Sequence, residues 1–320
     1  MAAPPPITLS TASRSTPPPL RTPARAPSRR RLQLPRALRI TILLAPAGLV
    51  VGVFLVGGVG QALAQSFGYQ PFLSDWSWSA DAYRALWHDP AVRASIWLTL
   101  RVAVLSTALS ATFGTMAALA IHRVGRGRRI VTGLFQGNLA VPHLVGALCM
   151  SLLLAQSGLL SRLSTAIGLT ASPAAFPQLT QDGFGWGIVA EYVWKETPFI
   201  GVVALAALSR GVDELDTAAR MLGARPWQRA RYVLVPLVTP VVAAASALVL
   251  AFAVGSYEIP SLLGRPYPAT LPVVALQYYR DTDLTLRPQA MAVAVLVAAF
   301  STVLLATYFA LTSRLARRPV

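Results

Sequence analysis

The sequence predicts an all-α, polytopic membrane protein with six transmembrane helices. Three observations carry that expectation. Only 12% of the 320 residues are charged and 54% are hydrophobic, whereas a soluble domain carries about 25% charged residues. Mean hydropathy is +0.55. The apolar residues gather in six runs, 40–64, 95–121, 130–156, 187–208, 237–258 and 288–312, each long enough for a span of about 20 residues. Long continuous runs imply helices, because hydrocarbon offers no partner to a free backbone N–H or C=O.

The elements follow in order. Residues 1–39 are rich in Pro, Ser, Thr and Arg and bury too little apolar surface to fold, so a disordered basic tail is expected there. The first transmembrane helix is expected over 40–64, a loop over 65–94, and a five-helix core over 95–310 with a polar loop at 211–236. A short basic tail, 311–320, ends the chain. Pro46, Pro142, Pro198 and Pro240 fall in or near the spans, where kinked helices are tolerated.

Charge orients the helices. With both termini cytoplasmic, that side receives 20 of the 28 basic residues, among them Arg29, Arg30, Arg31, Arg126, Arg128, Arg129, Arg225, Arg229, Arg231 and Arg317. The opposite side receives 6, Arg84, Arg93, Arg162, Arg265, Arg280 and Arg287, balanced by Asp75, Asp81, Asp89, Asp182, Asp281 and Asp283. Basic residues on cytoplasmic loops set topology. The net charge of +16 is therefore read as a topology signal with attraction to anionic lipid, and no nucleic-acid partner is expected. Trp76, Trp78 and Trp186 lie where an outer aromatic belt would. The run Ser28-Arg29-Arg30-Arg31-Leu32-Gln33-Leu34 is similar to an export signal with a cleavage site at Ala62-Leu63-Ala64. However, the apolar run that follows exceeds the 7–15 residues of a signal sequence, so a retained helix is expected.

Several chemistries are excluded. Lys195 is the sole lysine, so a phosphate-binding loop with Gly-Lys-Ser/Thr is absent. His88, His122 and His143 are scattered and form no zinc-protease motif. Ser256 after Gly255 has no evident base and suits helix packing. Cys149 sits in an apolar run and is expected as a small buried residue. The chain is expected to be no enzyme by itself, with no cofactor and no metal.

The loop at 211–236 is the informative one. Asp213, Glu214 and Asp216 favour a helix start. Gly223 suits the left-handed position that closes it, and Pro226 suits the first turn of a second helix. The expected hairpin is a rigid knob. Its spacing resembles the Glu-Ala-Ala loop of ATP-binding-cassette (ABC) importer permeases: Ala218, Ala219, Gly223, Val233 and Pro236 match, while Thr217 replaces the family's Glu and Val235 its Leu. Asp216 or Glu214 is placed to supply the missing acid. The resemblance covers about residues 95–310. It implies a type I ABC importer permease fold in the inner membrane of a bacterial cell, with the segment at Asp216, Thr217, Ala218, Ala219, Gly223 and Pro236 coupling it to ATPases. The implied partners are two ATPase subunits, a second permease subunit, identical or not, and a periplasmic or lipid-anchored solute-binding protein.

Span four carries Glu191, Lys195 and Glu196, and span five ends at Glu258. Glu191 and Lys195 are spaced for an intrahelical pair. Isolated charges at mid-membrane cost about 2.5–3.5 kcal/mol each, so two readings stay open: a hydrated solute pathway through these four residues, or a self-satisfied pair that orients the helix. The stretch 257–264, Tyr257 to Gly264, with Leu271-Pro272 and Arg287-Pro288, is similar to the spermidine/putrescine branch, which implies a polyamine-like substrate. Neighbouring branches carry ferric iron, thiamine, sulfate, molybdate or phosphonate. An ion-coupled secondary transporter is the alternative. It requires internal repeats, and no convincing one is present.

Overall fold

A computed structural model describes residues 35–71, 76–124, 127–208 and 212–316. The tail expected over 1–39 lies almost wholly outside the described residues, as do Asp75, Arg126 and Arg317. Among the described residues every regular element is helical. The chain divides at Phe54 into two units. The first contributes most of helix α1 (Arg36–Ser66), whose large apolar side chains, such as Leu43 and Phe54, are exposed, as lipid-facing residues are.

The second unit holds the remaining helices: α2 (Asp81–His88), α3 (Pro90–Arg123), α4 (Arg128–Gly137), α5 (His143–Leu154), α6 (Leu159–Ala166), α7 (Trp186–Leu208), α8 (Val212–Met221), α9 (Pro226–Arg229), α10 (Val235–Gly255), α11 (Glu258–Leu263), α12 (Leu271–Arg280) and α13 (Arg287–Ala316). Among the described residues, five helical stretches are long and apolar enough to cross a membrane: 40–66, 90–123, 143–166, 226–255 and 284–310. The 23-residue α7, expected as a further span, differs by carrying two glutamates and a lysine, all buried.

Local chemistry explains the boundaries. The Asp89 carboxylate accepts from Ala91 N at 2.8 Å and Pro90 fills the first turn, so α3 starts before the expected 95. The stretch 65–94, expected as a loop, thus contains α2 and the first turn of α3. The Asp182 carboxylate caps α7, accepting from Phe184 N (2.8 Å), Gly185 N (2.9 Å) and Trp186 N (2.9 Å). The largest departure is the run 130–156. It is broken into α4, a 3₁₀ turn (Asn138–Ala140) and α5. Pro142 has no N–H to continue a helix and disfavours helical geometry at Val141, which is extended (ψ 125°).

Helices α3 and α7 form the centre. They meet where two glycines face: a Cβ on Gly114 would lie 2.9 Å from Gly201 N, and one on Gly201 would lie 2.6 Å from the Phe135 ring. Small residues permit this approach, which dispersion then stabilises. Farther along the same two helices, Leu98, Val102, Ile188 and Tyr192 form one buried cluster with Leu250 and Val254 of α10. A second apolar cluster, including Ile121, Leu208, Val212, Leu234 and Val238, ties α3, α7, α8 and α10 together at the end bearing the 211–236 loop. A third, including Leu86, Val92, Leu271 and Val293, fills the far end. There the buried Thr99 hydroxyl donates to Ser95 O at 2.7 Å and accepts from Leu271 N at 3.0 Å, fixing the start of α12 on α3. Cys149, expected to be buried, is exposed on α5, whose buried residues are Gly146, Ala147 and Leu154.

Candidate functional site

Two assemblies concern function. The first is the hairpin between α7 and α10. Helix α8 ends as the sequence predicts. Gly223 adopts φ +82°, Gly223 N donates to Arg220 O at 3.0 Å, and Ala224 N donates to Ala219 O at 3.0 Å. These two bonds are the Schellman closure, which a left-handed glycine permits. Pro226 opens α9, where Gln228 Oε1 accepts from Arg225 N at 2.7 Å.

A π-helical turn, Ala230–Leu234, then leads into α10. The sequence reading did not foresee that turn. It sets Ala230 and Leu234 inward just before Pro236, which lacks an N–H for an ordinary helical bond.

The hairpin is clamped from within. Arg229 grips Asp216 through two bonds, Nε to Oδ1 at 2.8 Å and Nη2 to Oδ2 at 2.7 Å. A planar guanidinium fits a carboxylate in this forked geometry. Asp216 is therefore engaged inside the hairpin. Arg123, at the end of α3, donates to Pro226 O at 3.0 Å. Thr217, Ala218 and Pro236 are exposed, with Ala219 half-buried. The tip displays Met221, Leu222 and Trp227, which are 82%, 88% and 71% exposed.

The second assembly surrounds the break between α4 and α5. The expected Glu191–Lys195 pair does not form. Lys195, only 3% exposed, instead donates from Nζ to Asn138 O at 2.6 Å and to Val141 O. The break leaves Val141 O without a backbone donor, and Asn138 O, which accepts from Val141 N at 3.1 Å in the 3₁₀ turn, takes Lys195 as a second donor. Asn138 Nδ2 donates to Trp194 O at 2.7 Å, and His143 Nε2 donates to Glu196 Oε1 at 3.1 Å.

The break is thus clasped to α7 by three side-chain links. Glu191 is fully buried, with both carboxylate oxygens lacking a hydrogen-bond partner. It lies against Gly146, where an added Cβ would come within 3.0 Å of its Oε1. Glu258 is exposed at the start of α11 and makes no bond to this group. Of the four residues expected together, three share the clasp region and Glu258 does not. Asn138 and His143 were missed, although Gly137-Asn138 and Pro142 within an apolar run are a legible break signal. No group of His, Cys, Asp and Glu that could hold a metal occurs among the described residues.

The fold and these sites can be set beside known proteins. The profile of the family described as "Binding-protein-dependent transport system inner membrane component" matches residues 110–318, more than half of the chain. The chain belongs to that family. It is 32% identical over 195 residues to the inner membrane ABC transporter permease protein YdcU of Escherichia coli, covering 57% of this chain and 61% of that one. It is 25% identical over 247 residues to the putrescine transport system permease protein PotI of E. coli, covering 76% and 81%. It is 24% identical over 214 residues to the probable sulfate transport system permease protein cysT of Chlorokybus atmophyticus, covering 65% and 71%. The aligned part is under two thirds of the length of YdcU.

Among solved structures, the fold matches a bacterial ABC transporter involved in the import of the acidic polysaccharide alginate. The TM-score is 0.74 at 21% identity, covering 88% of this chain and 97% of that one. The family membership and the multi-pass helical architecture agree, and the protein is a multi-pass component of an inner membrane.

Proposed function

We propose that this family member is a permease subunit of an ABC importer, forming one half of a solute pathway with a second permease subunit. The hairpin at 211–236 is its coupling element, and ATP hydrolysis takes place in two partner ATPase subunits. One observation carries the reading. A rigid, internally clamped hairpin exposes an apolar tip while its base is built into the cluster shared by α3, α7 and α10. A push on the tip moves those helices as packed bodies rather than bending a loose loop. A solute-binding protein delivers solute at the opposite end.

The test is co-purification from gently solubilised native membranes. A near-stoichiometric P-loop ATPase is expected. Leu222→Asp should remove it without unfolding the permease, because Leu222 is 88% exposed. Retention of the ATPase by that variant refutes the hairpin as the docking point.

Burial of Glu191, Lys195 and Glu196 supports a structural role over a hydrated pathway, with Lys195 and Glu196 holding the α4–α5 break in place of the expected Glu191–Lys195 pair. Unchanged uptake in Glu191→Gln, Lys195→Met and Glu258→Gln would rule out the pathway reading. For the substrate, similarity to PotI over 76% of the chain favours a polyamine, and a second reading is favoured by the chain's own far-end lining, which is cationic. The alternative of ion-coupled transport predicts uptake without ATP.

A further inference from the structure

At the end opposite the hairpin, the loop before α7, the segment from Tyr257 through Pro266 and helix α12 enclose a cavity of about 240 Å³. Its polar lining is Arg265, Arg280, Gln181, Gln277, Tyr257 and Ser261, and no carboxylate lines it. Two guanidiniums, two amides and the Tyr257 hydroxyl offer N–H and O–H donors around one small space, while the Ser261 O–H is already given to Glu258 O at 2.7 Å.

Three further details mark it as built. Arg265 Nε is buried without a hydrogen-bond partner, a state that is costly for a charged donor unless something completes it. Its guanidinium rests against the Gly183 peptide, where a Cβ would come within 3.2 Å of Nη1, so a side chain there would press on it. Gln181 is the one non-glycine residue with positive φ (53°) among the described residues. It is held so by Gln181 N donating to Leu263 O at 2.7 Å, and such strain concentrates at ligand sites.

None of the neighbouring aspartates lines the cavity, and their carboxylates are engaged by other groups. Asp182 caps α7 through three backbone bonds. Asp281 accepts from Asp283 N at 2.9 Å, and Asp283 accepts from Thr285 N and Oγ1.

From this geometry we infer that the far-end cavity is a recognition site for an anionic group, a carboxylate or a tetrahedral oxyanion, carried by the imported solute. Forked Arg donors suit both groups, whereas a polyamine would meet two like charges. The solute's role as cargo rests on the permease reading above, while the site itself does not.

The test uses the full chain with its co-purifying partners in lipid nanodiscs, at 0.15 M sodium chloride. Binding of sulfate, phosphate and citrate is measured by calorimetry, with putrescine as the cationic probe. At least one anion should bind, and Arg265→Gln and Arg280→Gln should each weaken it at least about tenfold. Arg265→Lys should recover part of the loss. Co-purification of an ATPase should be unchanged in all three.

Putrescine binding with no anion binding overturns the inference. So does anion binding that is indifferent to both glutamine variants. Loss of a co-purifying binding protein without any change in anion affinity also overturns it, assigning the arginines to protein docking. If the anion binds and no ATPase accompanies the wild-type chain, the importer reading fails and the anion site stands.

Discussion

The Asp216–Arg229 clamp yields the most discriminating prediction. The perturbation is Asp216→Ala and Arg229→Ala, singly and together. An exposed ion pair contributes about 0–1 kcal/mol, and removing one partner of a buried pair costs about 3–5 kcal/mol. The two side chains here are 18% and 19% exposed, between those limits. With two charge-assisted bonds of 2.7 and 2.8 Å, the interaction energy should be about 2 kcal/mol, or roughly 30-fold in the hairpin's opening equilibrium.

The assay is amide hydrogen exchange of the detergent-solubilised protein, read at Gly223 and Ala224, whose N–H groups close α8. Each single variant should exchange about 30-fold faster. The double variant should be no faster than either, because residues that act as a pair are non-additive. Multiplying effects, or exchange within about twofold of wild type in both singles, would refute the clamp. The second result would return Asp216 to the role of a free acid awaiting a partner, the reading its sequence position first invited.

Three other outcomes follow from the same geometry. Gly223→Val should destabilise the hairpin by about 1–2 kcal/mol, with Gly223→Asn milder. No heavy atom lies within 4 Å of the added Cβ, so the cost is in the backbone alone, and exchange at α8 and α9 would read it. Lys195→Met should lower stability by about 2 kcal/mol, leaving Val141 O unpaired and Asn138 O with Val141 N alone, while removing a buried charge. Faster exchange confined to 138–154 is the expected signature, and protection unchanged there would sink the clasp. Gly201→Leu should disrupt the α3–α7 crossing, since its Cβ would already lie 3.1 Å from the Gly114 carbonyl of α3 and 2.6 Å from the Phe135 ring of α4, leaving no room for the rest of the side chain. Monodisperse elution of that variant with a wild-type melting temperature would contradict the packing.

Much of this protein is local chemistry. Six apolar runs, the glycine at 223, the proline at 226 and the acids before them set the helices and the hairpin, because hydropathy, φ preference and capping act over a few neighbouring residues. The loop's match to a permease family was legible for the same reason. Other features depend on who meets whom across the fold. Residues 130–156 read as one span, since hydropathy does not register that Lys195, far along the chain, satisfies the carbonyl freed at Val141 and adds a second donor to Asn138 O. Helical spacing offered Glu191 as the natural partner of Lys195, and tertiary packing offered a better one. Cys149 is exposed while Gly146, Ala147 and Leu154 of the same helix are buried, a choice made by tertiary packing and not by composition. Arg265 and Arg280 stood in the sequence as scattered basic residues of a nearly neutral face. Only the folding of α11 and α12 against the loop before α7 brought them to one cavity, because electrostatic fields are set by distances in space rather than by separations along the chain.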